Sequence, residues 1–286
     1  MTLRIVTDST ADLQQEWVED YHIHVIPLAV RLEDKEILDG DIPLQDLYAY
    51  LKSDAPLPQT SQVSPGTFSE TYKKLADEGA TEIISIHISS DLSGTVNSAR
   101  LAAQDAPIPV HVIDSRQATM GLSLIVRTIS QKIMDGMPVE DAVLLAQEMA
   151  KKTKIYFLLN DLSTLEKGGR IGKAAYLLGS VLSVKPILML HDGVISVYDK
   201  VRTRKTERAI ERLAEIYRQE NKDAPVWRVF GYNDMPTYAE MLLQALDAKK
   251  EEELFCELGC VVSSHIGLGA VGVAFYQPER EMHDEL

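Results

Sequence analysis

The sequence predicts an α/β protein of two lobes: an N-terminal lobe around a parallel sheet and a C-terminal α/β lobe. Three observations predict it. At 286 residues the chain exceeds the usual size of a single-core domain. Short apolar runs alternate with stretches of helical periodicity through the first half, the pattern of a parallel sheet covered on both faces. An amphipathic stretch from Val139 to Ala150 ends in Lys151-Lys152, cations suited to a helix C-terminus, and a new apolar run follows at once. The boundary is placed there, giving lobes of residues 1–153 and 154–286.

Along the first lobe, strands are expected at Leu3 to Val6, Ile83 to Ile88 and Val110 to Ile113. Helices are expected at Ala11 to Tyr21, Val96 to Gln104 and Ala118 to Ile133. Between Leu32 and Pro65 the pattern turns polar, punctuated by Pro43, Pro56, Pro58 and Pro65. It is read as loop-rich surface with one short helix from Leu44 to Lys52. The second lobe predicts strands at Ile155 to Leu159, Pro186 to Leu190, Val194 to Tyr198 and Val226 to Phe230, with further strands closing the chain. Its helices are expected at Thr203 to Gln219 and Thr237 to Ala248. Asp192-Gly193 between apolar runs is a hairpin signal.

Hydrophobic residues make up 45% and charged residues 25% of the chain, enough to form a core and far from the composition of disorder. A net charge of −14 repels phosphate backbones and anionic lipid, so neither nucleic acid nor a membrane is expected as a stable partner; transient membrane contact stays open. Only two cysteines occur, Cys256 and Cys260, which fits free thiols in a reducing compartment. Met1 to Asp8 already reads as a strand, with no secretory signature, and no apolar run approaches the roughly 20 residues that span a bilayer. A cytoplasmic location is expected.

Several motifs fail on context. Gly267-Leu268-Gly269-Ala270-Val271-Gly272 matches G-x-G-x-x-G, but the following residues read as a strand, whereas a dinucleotide site needs these glycines to open a helix. Gly168 to Lys173 lacks Walker spacing. The seven histidines and two cysteines show no metal-ligand spacing, and no serine sits in a G-x-S-x-G elbow.

What remains is three hydroxyl-rich stretches next to apolar runs: Asp8-Ser9-Thr10-Ala11-Asp12-Leu13, Thr60-Ser61-Gln62-Val63-Ser64-Pro65-Gly66-Thr67-Phe68, and Ser89 to Ala99. Each suits helix capping, where free N–H groups also face an anion. Ligands of open α/β sheets sit at the carboxyl ends of strands. Together, at one edge of one sheet, the three predict a pocket for an anion or carboxylate.

With these stretches, Leu165-Glu166-Lys167-Gly168-Gly169-Arg170-Ile171, Lys185-Pro186-Ile187-Leu188, Val201-Arg202-Thr203-Arg204-Lys205 and His265-x-Gly267, the chain resembles the DegV family of bacterial fatty-acid-binding proteins almost end to end. Val63 and Leu268 stand where the family often has proline. The resemblance implies a two-lobed fold with a long-chain fatty acid between the lobes and no other cofactor. It implies a carboxylate met by Thr60 or Ser61, by Ser93 with Gly94, and by His265, with Arg170 as a further head-group or phosphate contact. It also implies that the carrier is not itself an enzyme and presents the acid to a separate ATP-dependent fatty acid kinase that forms an acyl phosphate.

The magnitudes divide the work. Burying about fifteen methylenes at about 0.8 kcal/mol each contributes roughly 12 kcal/mol before association costs. A carboxylate out of water costs several kcal/mol unless it is hydrogen-bonded. The tail thus supplies affinity and the head selects an acid. Apolar candidates for the tail are Ile155 to Leu159, Tyr176 to Leu182, Ile187 to Leu190 and Ile266 to Leu268, with His265 expected at a strand end.

Lys200, Arg202, Arg204, Lys205, Arg208 and Arg212 cluster in thirteen residues, opposed there by Glu207 and Glu211. Arg202 and Arg204 are the expected docking residues for an acidic partner; a solvated helix face is the alternative. Two other functions stay open: a small-molecule phosphotransferase or esterase using the serine-rich turns, and a lipid-level sensor.

Overall fold

A computed structural model describes residues 2–177, 184–221 and 226–278. The chain opens with β1 (Leu3–Asp8), a 3-10 turn (Ser9–Ala11), α1 (Gln15–Asp20) and β2 (His24–Ile26). Next come β3 (Ala29–Leu32), β4 (Lys35–Leu38), α2 (Leu44–Leu51), β5 (Gln59–Ser61) and α3 (Pro65–Asp77). β6 (Glu82–His87), α4 (Thr95–Ala103), β7 (Val110–Asp114), α5 (Thr119–Met134) and α6 (Val139–Lys152) follow. β1, β2, β6 and β7 form a parallel sheet in the order β2-β1-β6-β7. The central strands β1 and β6 are buried on both faces, as expected for a parallel sheet covered on both sides by helices.

Residues 32–65, expected to be loop-rich, instead contribute to a second, antiparallel sheet of order β4-β3-β5. Its strands are three or four residues long, too short for a period-two signal to emerge. Leu28, Val30, Ile42 and Val63 nevertheless bury themselves with Leu47 and Phe68 in a separate core. Val63 is thus a core residue. The expected helix from Ala11 is shorter, since Asp12 takes a left-handed conformation that ends the 3-10 turn.

The second half runs β8 (Lys154–Leu158), α7 (Ser163–Lys167), a 3-10 segment (Gly172–Leu177), β9 (Val184–His191) and β10 (Val194–Arg202). It continues with α8 (Thr206–Glu220), β11 (Trp227–Tyr232), α9 (Pro236–Leu246), β12 (Leu254–Glu257), α10 (Cys260–Ile266) and β13 (Val271–Tyr276). These strands make one six-stranded sheet, β10-β9-β8-β13-β11-β12, antiparallel except where β11 meets β12. The hairpin turns at Asp192-Gly193 as expected. The G-x-G-x-x-G run leads into β13, and Gly272 sits where a Cβ would lie 2.6 Å from the Tyr156 carbonyl.

α5 joins the two halves. Twelve of its sixteen residues are buried, which marks a helix covered on every side. It packs on β1 and β6 and also on β11, β12 and β13. Ile5 and Ile84 of the first half accordingly share one core with Ile155, Leu188 and Val229 of the second.

Candidate functional site

A cavity of about 400 Å³ lies where the sheets and α10 converge, within the usual size range of small-molecule sites. Thr10 reaches it from the end of β1, and Leu92, Ser93 and Gly94 from the turn after β6. Thr60, Ser61 and Gln62 come from β5 and the residue after it, Arg170 follows α7, and His265 lies on α10. All six cavity residues proposed from the sequence are therefore brought together: Thr60, Ser61, Ser93, Gly94, Arg170 and His265. One placement differs from expectation. Thr60 and Ser61 belong to the antiparallel sheet and not to the edge of the parallel sheet.

At the polar end the Thr60 hydroxyl lies 2.7 Å from His265 Nε2. Successive strand residues face opposite ways, and the Ser61 hydroxyl donates instead to Glu36 at 3.4 Å. Ser93 Oγ is 2.9 Å from Thr95 Oγ1 and accepts the Thr95 N–H at 3.3 Å. Gln62, which donates to Ser98 at 3.3 Å, covers Gly94 so closely that a Cβ there would stand 2.0 Å from its Oε1. The absence of a side chain at Gly94 leaves the room that the Gln62 amide fills. Arg170 donates to the carbonyls of Leu92 (3.3 Å) and Gly168 (2.8 Å) and remains exposed at the cavity wall.

His265 sits in the last turn of a helix, not at a strand end. Val261-Val262 reads as strand, yet distant carboxylates cap the helix: Asp12 accepts the Gly259 N–H at 3.0 Å and Asp39 the Cys260 N–H at 3.2 Å. Burial raises the pKa of both acids. Burial, reinforced by the nearby Arg170 charge, lowers His265 to about 4, so its ring is neutral at neutral pH. Its Nδ1 is buried without a hydrogen-bond partner. A carboxylate arriving here would meet one unpartnered polar atom, several hydroxyls and a cation.

Apart from Thr119, the rest of the wall is apolar, with Ala118 and Met120 at the start of α5, Ile155 and Phe157 from β8, and Leu190, Ile195, Val262 and Ile266. Alternation in β8 decides which residues take part, because Tyr156 and Leu158 point into another core beneath α8. Of the expected tail candidates, Leu190 lines the cavity while Ile187 does not, and Ile266 does while Leu268 does not. The Leu268 carbonyl accepts from Asn160 at 3.0 Å. Tyr176 and Leu177 do not line it, and residues 178–182 of that candidate segment lie outside the described residues. Thr10, Gln62, Met120 and Leu165 also line the cavity, although the sequence assigns them no role; Thr10, Gln62 and Leu165 stand in the motifs, and Met120 carries only an apolar signal.

Arg202, at the end of β10, and Arg204, in the turn after it, are exposed and away from this cavity. No ion pair engages either among the described residues. Arg212, expected in the same cationic cluster, is instead neutralised by Asp199 (2.8 Å) and Glu215 (2.9 Å), acids just beyond the thirteen-residue window. Lys200 Nζ rests 4.6 Å from the Tyr176 ring centroid.

A constellation missed in the sequence lies deeper. Asp8 Oδ2 is 2.9 Å from His87 Nδ1, His87 Nε2 is 2.6 Å from Ser85 Oγ, and Ser85 Oγ is 2.8 Å from the Tyr72 hydroxyl. Its order matches a nucleophile, base and orienting acid. Asp8, Ser85, His87 and Tyr72 have no exposure, Tyr72 occupies the serine, and Phe68 packs edge-on to His87. This is a satisfied core network that fixes the end of β1 under Thr10. Among the described residues no cluster of three or more His, Cys, Asp or Glu is placed to hold a metal ion, and no helix is long and apolar enough to cross a membrane.

These features define an α/β protein with a mostly apolar, ligand-sized cavity closed at one end by hydroxyls and a neutral histidine. A family model described as "Uncharacterised protein, DegV family" matches residues 2–278, and the chain belongs to that family. A DegV domain-containing protein of Streptomyces coelicolor is 37% identical over 273 residues, covering 94% of this chain and 96% of that protein. Among solved structures, a Thermus thermophilus DegV family protein described for its fatty acid binding superposes with a TM-score of 0.90 at 32% identity, covering 97% of this chain and all of that one. DegV of Bacillus subtilis, described as a fatty acid binding protein, gives 0.85 at 32% identity, again covering 97% of this chain and all of that one. A stearic acid-binding protein of Eubacterium ventriosum gives 0.87 at 26% identity, covering 97% and 98%.

Proposed function

We propose that this chain is a cytoplasmic, non-catalytic carrier that holds a long-chain fatty acid between two lobes divided at residues 153 and 154. Thr60, Ser93, Gly94 and His265 receive the carboxylate with Ser61 beside them, Arg170 contacts the head group, and the apolar wall takes the tail. The observation that carries this reading is the 400 Å³ cavity ending on the Thr60–His265 pair beside Ser93. The fatty acid binding described for the similar structures supports the same ligand.

Chemistry on the bound acid belongs, in this reading, to a separate ATP-dependent fatty acid kinase docked at Arg202 and Arg204. Two exposed cations with no acid partner among the described residues suit an acidic surface.

The first test is mass spectrometry of the organic extract from purified, unsupplemented protein, alongside Thr60→Ala/Ser93→Ala prepared identically. Near-stoichiometric fatty acid in the wild type, depleted in the variant, is expected. An empty extract, with added fatty acid also failing to bind, would overturn the carrier reading. Arg202→Glu/Arg204→Glu is expected to keep its lipid while losing transfer to the kinase; loss of lipid would refute the docking assignment.

A further inference from the structure

A second cavity, of about 820 Å³, lies along the C-terminal half of α5 and shares no lining residue with the first. β11, β12 and the end of α8 form its other walls. Four cations line it: Arg127, Lys132, Arg218 and Arg228. Its two lining carboxylates are engaged. Glu253 holds Arg228 through two N–H groups, and Glu252 pairs with Lys249 at 2.7 Å.

The other three cations have no carboxylate partner among the described residues. Lys132 is only 4% exposed, with Nζ 5.7 Å from the Trp227 ring centroid. Arg127 lies over Trp17 and Tyr21, at 5.3 and 5.9 Å, and its Nε is buried without a hydrogen-bond partner. Among the described residues Arg218 donates to the Ala245 carbonyl alone. Aromatic faces offset part of the desolvation of a cation, yet a buried ammonium is normally paired with an anion as well. Acids are abundant in a chain of net charge −14, so the lack of a carboxylate partner for these three cations among the described residues is informative. The unmet charge exceeds that of one carboxylate and suits the nearly double charge of a phosphate group, while the volume leaves room for an organic part.

We propose that this cavity is a binding site for a small phosphate monoester, with Lys132 and Arg127 as its inner cations and Arg218 at its rim. The proposal is independent of the fatty acid reading. The chain's two tryptophans, Trp17 and Trp227, are the residues stacked under Arg127 and Lys132, so intrinsic fluorescence reports on the site.

The test is a fluorescence titration of the full chain with phenyl phosphate, and with phenol as the uncharged counterpart. A saturable change is expected with phenyl phosphate and none with phenol. Lys132→Met is expected to weaken binding about tenfold or more and the rim variant Arg218→Gln severalfold, while Thr60→Ala/Ser93→Ala leaves it unchanged. Arg218→Gln keeps the test decisive should Lys132→Met fold poorly. No saturable response in the wild type, an equal response to phenol, or unaltered affinity in Arg218→Gln would overturn the proposal. So would loss of binding in Thr60→Ala/Ser93→Ala, which would move the ligand to the first cavity.

Discussion

The Thr60 hydroxyl and His265 Nε2, 205 residues apart in the chain, meet at 2.7 Å where β5 passes α10. This contact closes the apolar cavity with a hydroxyl and a ring held neutral by burial. Any carboxylate bound beside it favours the imidazolium, so ligand and proton binding at His265 are coupled.

That coupling predicts a pH dependence. Between pH about 4, the folded value, and about 6.5, the unfolded one, the folded ring binds fewer protons than the unfolded ring. Ligand-free protein should therefore gain stability from this group as pH rises through that window, by at most about 3 kcal/mol. Urea unfolding of delipidated wild type and His265→Gln should show a shallower rise in the variant over pH 4 to 6.5. Parallel profiles would refute the assignment.

Two glycines separate binding from folding. A Cβ at Gly94 meets only the mobile end of Gln62, whereas at Gly272 it meets the Tyr156 carbonyl at 2.6 Å. Gly94→Ala should cost less than about 1 kcal/mol in stability yet displace Gln62 and weaken fatty acid binding. Gly272→Ala should cost about 1–3 kcal/mol. Thermal melts and a fluorescent fatty acid displacement assay distinguish the two effects.

The buried network of Asp8, His87, Ser85 and Tyr72 predicts a large structural cost. Asp8 also accepts the Ile88 N–H at 3.0 Å and the Thr10 hydroxyl at 2.5 Å. Removing one partner strands the others without water, so Asp8→Ala should destabilise by about 3–5 kcal/mol in chemical denaturation. Ser85→Ala should retain full lipid binding, because that serine is fully buried and does not line the cavity.

The tail wall predicts a change in selectivity. Val262 is a partly buried lining residue on α10, and Val262→Phe shortens the apolar space with little change at the head. Mass spectrometry of co-purified lipid should show a shift toward shorter acyl chains, with His265 and Thr60 still required.

The alternation of strands and helices around the parallel sheet, the Asp192-Gly193 hairpin and the hydroxyl-rich turns are legible in the sequence, because they are written in local periodicity and turn chemistry. It also carried the family motifs that name Thr60, Ser93 and His265. It did not carry the three-stranded sheet of β3, β4 and β5, whose strands are too short for a periodic signal and are held by their core with α3. Nor did it place His265 on a helix, since the carboxylates that cap that helix lie 221 and 247 residues upstream. Only the tertiary structure decided which apolar residues face the cavity, how Gln62 closes over Gly94, and that Arg212 is neutralised while Arg202 and Arg204 stay exposed. Local propensity acts over a few residues; the neutral histidine, the shared core around α5 and the cavity itself depend on long-range packing and desolvation, which exist only once distant segments meet.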